Sequence, residues 1–169
     1  KSIIHAIPMD YKVDGSKIHG TIIGVHGNKL EVKTLFVTYP LQCMNILKKT
    51  LELSHTRVTD IVAGPIAESI PLLTKKQKMA GVALINIGQA VTSLLVYEKN
   101  IPLLISTIPV GGDDITKDIA LGMKITLEEA EEMKCGRAAY AYSRKKVEEI
   151  IEARLEDLCA KITKELMRI

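Results

Sequence analysis

The stretch GVALINIGQAVTSLLVYE, Gly81 to Glu98, constrains the fold of this chain more than any other. VALIN is almost continuously apolar, the pattern of a strand covered on both faces, so Val82 to Asn86 is expected to lie centrally in its sheet. Small and polar residues then interrupt it, and Thr92 to Tyr97 and Pro102 to Pro109 follow as two further strands, joined at EKN as a hairpin. A turn between strands can bring bare backbone N–H groups to a polyphosphate, provided that an acid at its start holds Mg²⁺ directly or through water. This turn offers Asn86, Gly88, Gln89, Ala90, Val91, Thr92 and Ser93: one glycine, no acid, and a β-branched valine confined to negative φ. Asn86 brings no charge to a metal, and Gln89 puts a side chain where phosphate needs room.

Around this centre the sequence predicts an α/β organisation in two parts. Ile3 to Val13 reads as a strand broken at Pro8, which cannot donate to a ladder. Glycines at 15, 20, 24 and 27 mark turns, and in KLEVKTLFVT the alternation of Leu30, Val32, Thr34 and Phe36 with charged residues predicts a half-buried strand. Pro40 opens a helix with Leu41, Met44, Ile46, Leu47 and Leu51 on one stripe, and TRVTDIVAGP predicts a short strand ending at Gly64 and Pro65. Residues 1–63 thus read as a small α+β subdomain. Residues 64–169 follow as a second one: a helix in PIAESIPLLT, a polar turn in KKQKMAG, the three strands, and a helix that starts at Asp113 and Asp114. A further helix is opened by a Thr126–Glu129 capping box, and a long amphipathic helix carries Val147, Ile150, Ile151, Leu155, Leu158, Ile162 and Leu166 on one stripe. CGRAAYAY, between Lys134 and Ser143, shows no clear period.

Several function classes are disfavoured. A net charge of +3, with bases and acids alternating along the helices, gives no basic stripe for nucleic acid. No apolar run reaches the roughly 18–20 residues that cross a bilayer. His5, His19, His26 and His55 lack zinc-site spacing, so no metal ligands are assigned, and nothing supports a catalytic nucleophile. Cys43, Cys135 and Cys159 are read as buried, reduced thiols. Asp113 and Asp114 suit a helix start better than a general-base pair. The opening KSIIHAIP is already strand-like and carries no initiator methionine, as expected of a piece of something larger.

The order of these motifs resembles the bacterial FtsA family of actin-like cell-division proteins. GVALINIGQAVTSLLVYEKNIPLLISTIPVGGDDITKDIALGMKITLEEAEEMK is similar to that family's stretch with a D-I-G-G-G-T-T-D loop, a hairpin, an I-P-x-G-G-D turn and an L-E-E-A-E-x-x-K helix; IIEARLEDL resembles the helix that follows. HAIPMDYKVDG, Gly24, Gly27, Leu30 and LFVTYP resemble the family's inserted strand-helix-strand-strand (SHS2-type) subdomain. The resemblance implies that an actin-like (ribonuclease H-like) subdomain at 64–169 is preceded by that inserted subdomain at 1–63. It places cofactor-binding positions at Gly88 and Thr92 in the phosphate-facing loop and at Glu131 and Lys134 beside the adenosine moiety, with Gly111 and Gly112 at the turn ending the sheet. The chain departs from the family at Asn86, Gln89, Ala90, Val91 and Ser93.

The resemblance therefore implies ATP with Mg in the full-length protein, held weakly or not at all by this chain, and no detectable ATPase. It implies self-association into filaments, binding of the FtsZ C-terminal peptide, and a place at the cytoplasmic face of the inner membrane at the division site. Membrane attachment would come through a tail beyond Ile169, and further segments are expected before Lys1 and between Lys134 and Ser143. Two other readings share the fold: an active actin-like or Hsp70-like ATPase, and a PilM-type pilus-assembly scaffold.

Overall fold

The computed structural model describes residues 1–18, 20, 22–137 and 143–169. His19 and most of the CGRAAYAY stretch lie outside the described residues. The chain divides into two compact units, one made of Lys1–Ala83 and Leu95–Ile105, the other of Leu84–Leu94 and Ser106–Ile169.

The first unit opens with strands β1 (Ser2–Val13), β2 (Ser16–Ile18) and β3 (Leu30–Tyr39), which form an antiparallel sheet in the order β2-β1-β3. Asp14 and Gly15 both take positive φ between the paired Val13 and Ser16, the two-residue turn whose twist matches a hairpin. The Asp14 carboxylate also accepts from the Asn28 and Lys29 amides, which fixes where β3 begins. β1 is continuous, with register shifts at Ile3/His5 and Pro8/Asp10, so the expected break at Pro8 is a bulge within one strand.

β3 is covered less than expected on the face of its apolar alternation: Leu30, Val32 and Phe36 are exposed, Phe36 at 56%, and Thr34 is half-buried there, as are Leu35 and Val37 on the opposite face. Alternation tells which residues share a face; it does not tell which face is covered. Helix α1 (Leu41–Leu53) follows Pro40 as expected but buries only Met44 of its apolar stripe. The strand expected in TRVTDIVAGP forms no ladder: its end is tied instead by the Ala63 amide donating to His5 Nε2 at 3.0 Å. Strand propensity is realised only where a partner edge receives the segment.

Helices α2 (Gly64–Leu72) and α3 (Lys75–Ala80) come next. The expected polar turn is helical because Thr74 and Gln77 form a capping box, Gln77 N donating to Thr74 Oγ1 and Thr74 N to Gln77 Oε1. Strands β4 (Val82–Ile87), β5 (Thr92–Glu98) and β6 (Ile101–Ile108) form a sheet in the order β4-β5-β6. The central strand is therefore β5, buried along most of its length, and not β4, whose Ile85 and Ile87 are exposed. The expected hairpin at Lys99 and Asn100 is present, both residues at positive φ, and their amides donate to the Met79 and Lys78 carbonyls at the end of α3. Beneath it, the fully buried Ser69 hydroxyl donates to Ile66 O, receives Lys78 Nζ and lies 3.2 Å from the Tyr97 hydroxyl.

The second unit carries α4 (Gly112–Met123), α5 (Leu127–Lys134) and α6 (Arg144–Leu166). Asp114 serves the helix start, its carboxylate accepting from Gly111 N at 2.9 Å, and the Thr126–Glu129 capping box opens α5 as expected. Ile119, Ala130 and Val147 form one core cluster; Ile108, Val110, Leu158 and Ile162 form another. A Cβ on Gly122 would lie 2.7 Å from Ile150 Cδ1, so α4 approaches α6 closely there, and Arg154 grips Asp118 through two nitrogens at 2.6 and 2.9 Å.

Cys43, Cys135 and Cys159 are all exposed, against the expectation of buried thiols. Each sits on or just after a helix, outside its buried stripe. Among the described residues no helix is long and apolar enough to cross a membrane. Ile119 has no accessible surface, so Ile119→Ala is expected to destabilise the second unit by about 2–5 kcal/mol in urea denaturation. A thiol reagent should label all three cysteines of the native protein without denaturant.

Candidate functional site

The turn between β4 and β5 is closed by Gly88 N donating to Val91 O at 2.9 Å. A Cβ on Gly88 would stand 2.9 Å from that same oxygen, so only glycine closes the turn without displacement. From the turn, Gly88 O accepts from Gly112 N at 3.0 Å and Gln89 O accepts from Asp113 N at 2.8 Å. These are orphan amides of the first turn of α4. Gly111 makes the contact possible, because a Cβ there would lie 2.3 Å from Gln89 O and 2.6 Å from Gly88 O. The loop thus meets the helix N-terminus with carbonyl oxygens, and Gln89 Nε2 adds a contact to Asp113 Oδ2 at 3.3 Å.

Thr92 lies apart from the solvent-facing cleft. It is fully buried, and its hydroxyl donates to Val110 O at 2.8 Å, holding the start of β5 to the segment after β6. Glu131 and Lys134, by contrast, line a cleft of about 750 Å³ together with Gln89, Gly112, Asp113, Thr116, Lys117, Leu127, Glu128 and Glu132.

One turn into α4, Thr116 ties the cleft together. Its nearly buried hydroxyl is 2.6 Å from Glu131 Oε2 and 3.1 Å from Gly112 O, and it accepts from Lys134 Nζ at 2.8 Å. With a single proton to give, the hydroxyl directs it to the nearer, charged acceptor. Lys134 Nζ also lies 2.6 Å from Glu131 Oε2 and donates to Gly112 O at 3.2 Å. An ammonium has three N–H donors, and all three are engaged. The Lys134 and Thr116 hydrogen bonds hold the Glu131 carboxyl at about 2, far below its ordinary 4.5. Among the described residues, Glu131 Oε1 meets the Cys135 thiol at 3.4 Å. The cleft therefore presents a carboxylate oxygen more readily than a cation.

Of the four residues singled out in the sequence, the fold brings Glu131 and Lys134 together as an i, i+3 pair, puts Gly88 one residue from the cleft at Gln89, and sends Thr92 into the core. Thr116 was not foreseen. Its only sequence signal is a hydroxyl four residues after Gly112, which in a helix reaches the Gly112 carbonyl. Among the described residues no group of three His, Cys, Asp or Glu side chains is arranged to hold a metal ion. A second cleft, of about 580 Å³, lies in the first unit, lined by Ile3, Ile4, Met44, Lys48, Glu52 and the Thr56–Ile61 segment.

Residues 83–166, about half of the chain, match the family described as cell division protein FtsA. A protein named Cell division protein FtsA in Bacillus subtilis (strain 168) is 30% identical, the match covering 97% of this chain and 42% of that relative. Its namesakes in Pseudomonas aeruginosa and Escherichia coli (strain K12) are 26% and 22% identical over 98% and 99% of the chain. The chain spans less than half the length of these curated relatives. Among solved structures, the PilM-PilN type IV pilus biogenesis complex matches 88% of this chain and 42% of its own with a TM-score of 0.71 at 19% identity. The ethanolamine utilization protein EutJ from Carboxydothermus hydrogenoformans matches 72% of this chain and 41% of its own with a TM-score of 0.55 at 23% identity. These likenesses show the fold, which is actin-like α/β as expected from the sequence.

Two outcomes follow from the geometry. Gly111→Ala should destabilise the protein by about 1–3 kcal/mol, because the added carbon displaces the turn from the helix it caps. Since the folded Glu131 titrates below its unfolded value, its contribution to stability is present above about pH 4.5 and is lost as the pH falls toward 2. The stability difference between the parent protein and Glu131→Gln, read by denaturant titration, should shrink across that window.

Proposed function

The chain belongs to the FtsA family of cell division proteins, and from that premise we propose that it acts as a scaffold whose nucleotide loop is degenerate. In this reading it is part of an actin-like subunit that self-associates, binds the FtsZ C-terminal peptide and ties FtsZ to the inner face of the membrane at the division site. Residues 1–63 serve as the inserted subdomain and 64–169 as part of the actin-like body. Membrane contact comes through an amphipathic tail of the family's kind, and nucleic acid has no part in it.

The observation that carries the reading is the residue content of the loop. A triphosphate cradle needs bare backbone facing the ligand and a carboxylate for Mg²⁺. Here the acid position holds Asn86, and Gln89 and Ala90 stand where the family's loop has glycines. Hydrogen bonds to charged groups contribute about 1.5–3 kcal/mol each, so the loss of two bare positions and one charge weakens Mg-nucleotide binding substantially. The cleft lined by Glu131 and Lys134 is our candidate for the adenosine moiety. Self-association is supported by α1, which leaves Leu41, Ile46, Leu47 and Leu53 exposed.

The likeness to the PilM-PilN structure favours a second reading, a pilus-assembly scaffold with the same fold; kinship in sequence favours cell division. Partner choice separates them, since the first binds the FtsZ peptide and the second a cytoplasmic peptide of an inner-membrane protein.

Calorimetric titration of the full-length protein with Mg-ATP should give an affinity weaker than micromolar and no phosphate release. Asn86→Asp combined with Gln89→Gly should strengthen binding at least tenfold. Sub-micromolar binding with turnover by the parent protein would sink the scaffold reading in favour of an active ATPase. Concentration-dependent sedimentation on lipid is expected, and persistent monomers there would remove the filament part of the proposal.

A further inference from the structure

Thr116 is a buried polar residue whose contacts run entirely to the cleft. Its hydroxyl binds Glu131 Oε2 and Lys134 Nζ at 2.6 and 2.8 Å, while Lys134 spends its remaining donors on Glu131 and on Gly112 O. Every donor of the lysine is therefore taken up inside the protein. One glutamate oxygen, Oε2, is doubly held, and the other, Oε1, has among the described residues a weak thiol contact from Cys135 at 3.4 Å.

We propose that Thr116 is a positioning residue: by gathering Glu131 Oε2 and Lys134 Nζ on its hydroxyl, it leaves Glu131 Oε1 as the acceptor the cleft presents to the hydroxyl groups of a nucleoside. The proposal rests on the reading that this cleft faces the nucleoside part of a nucleotide. The charged lining agrees with a hydroxyl-bearing, uncharged ligand portion. Asp113, Glu128 and Glu132 join Glu131 there, against Lys117 and Lys134, and Lys117 is itself paired with Asp114 at 3.4 Å. A phosphate would meet more carboxylates than free ammonium donors; a ribose diol would meet an acceptor. Among the described residues, the groups bonded to Glu131 are Lys134 on its own helix, Cys135 just after it and Thr116 on α4.

The test compares Thr116→Val, which keeps the shape and removes the hydroxyl, with Thr116→Ser, which keeps the hydroxyl, in the full-length protein. Two readouts are taken: the Glu131 side-chain carboxyl titration by NMR, and adenosine binding by calorimetry. In Thr116→Val the titration midpoint should rise from about 2 toward 4.5 and adenosine affinity should fall about tenfold, with Thr116→Ser restoring both. Should the valine variant fail to fold, Thr116→Cys, with a weaker donor in the same place, should give intermediate values. An unmoved midpoint with adenosine still bound overturns the positioning role and leaves the nucleoside reading standing. A serine variant that behaves like the valine one also overturns it, since packing alone would then explain the effect. A shifted midpoint in a protein whose parent does not bind adenosine overturns the nucleoside reading, and with it the ligand named here, while upholding the contact itself.

Discussion

The contact between a bare Gly111 and the carbonyls of Gly88 and Gln89 is the constraint from which the rest of the second unit follows. It occupies space that any Cβ would fill, and it satisfies the Gly112 and Asp113 amides that a helix start leaves open. The Asp114 carboxylate completes the cap from the other side by accepting from Gly111 N, and this bond is the main reason its own titration is pushed below the ordinary aspartate value. With both ends of the first turn held, α4 begins at one residue and in one orientation. Thr116 then falls one turn later, where α5 delivers Glu131 and Lys134 to its hydroxyl.

Different parts of this unit carry different weights. Some of its ion pairs are on well-exposed side chains, as with Arg144–Glu148 and Lys145–Glu149 along α6, and pairs of that kind contribute roughly 0–1 kcal/mol. The bidentate grip of Arg154 on Asp118 is more directional and joins α4 to α6, with the Asp157–Lys161 pair extending it. The stability itself comes from the apolar clusters around Ile119 and around Leu158, which the long α6 stripe supplies. The polar network of the cleft is laid on this frame. It orders groups that already have a place to stand.

How much of this could be read in the sequence depends on the range of the interaction. Capping boxes, hairpin turns and helical stripes are local codes, and Thr126–Glu129, Lys99–Asn100 and Val147 to Ile162 all stand where the residues placed them. The Thr74–Gln77 box is equally local, but it opens a lysine-rich stretch whose polarity has the pattern of a turn. Burial is not a local code. The apolar alternation of β3 and the unbroken apolarity of β4 say that those faces suit burial, but Phe36, Ile85 and Ile87 remain exposed in these units, and β5 takes the centre of its sheet. The same holds for TRVTDIVAGP, whose strand pattern finds no edge to pair with. In the candidate site, Glu131 and Lys134 were legible through the resemblance of LEEAEEMK to the family's helix, while Thr116 required knowing that α4 and α5 pack together.

Gly88 and Thr92, which keep the family's pattern in the loop beside Ile87, both have a structural reason that owes nothing to phosphate. Gly88 is bare because the Val91 carbonyl leaves no room for a Cβ, and Thr92 is buried with its hydroxyl on Val110 O. The positions that depart, Asn86, Gln89, Ala90, Val91 and Ser93, include the acid and the bare backbone that a magnesium triphosphate needs. Steric and hydrogen-bonding demands of the fold thus account for what is kept, and the demands of nucleotide chemistry for what is absent. A loop under selection for turnover would hold both sets. One that serves only to seat a helix against a sheet needs the first alone, and this is the sense in which we propose the loop to be degenerate.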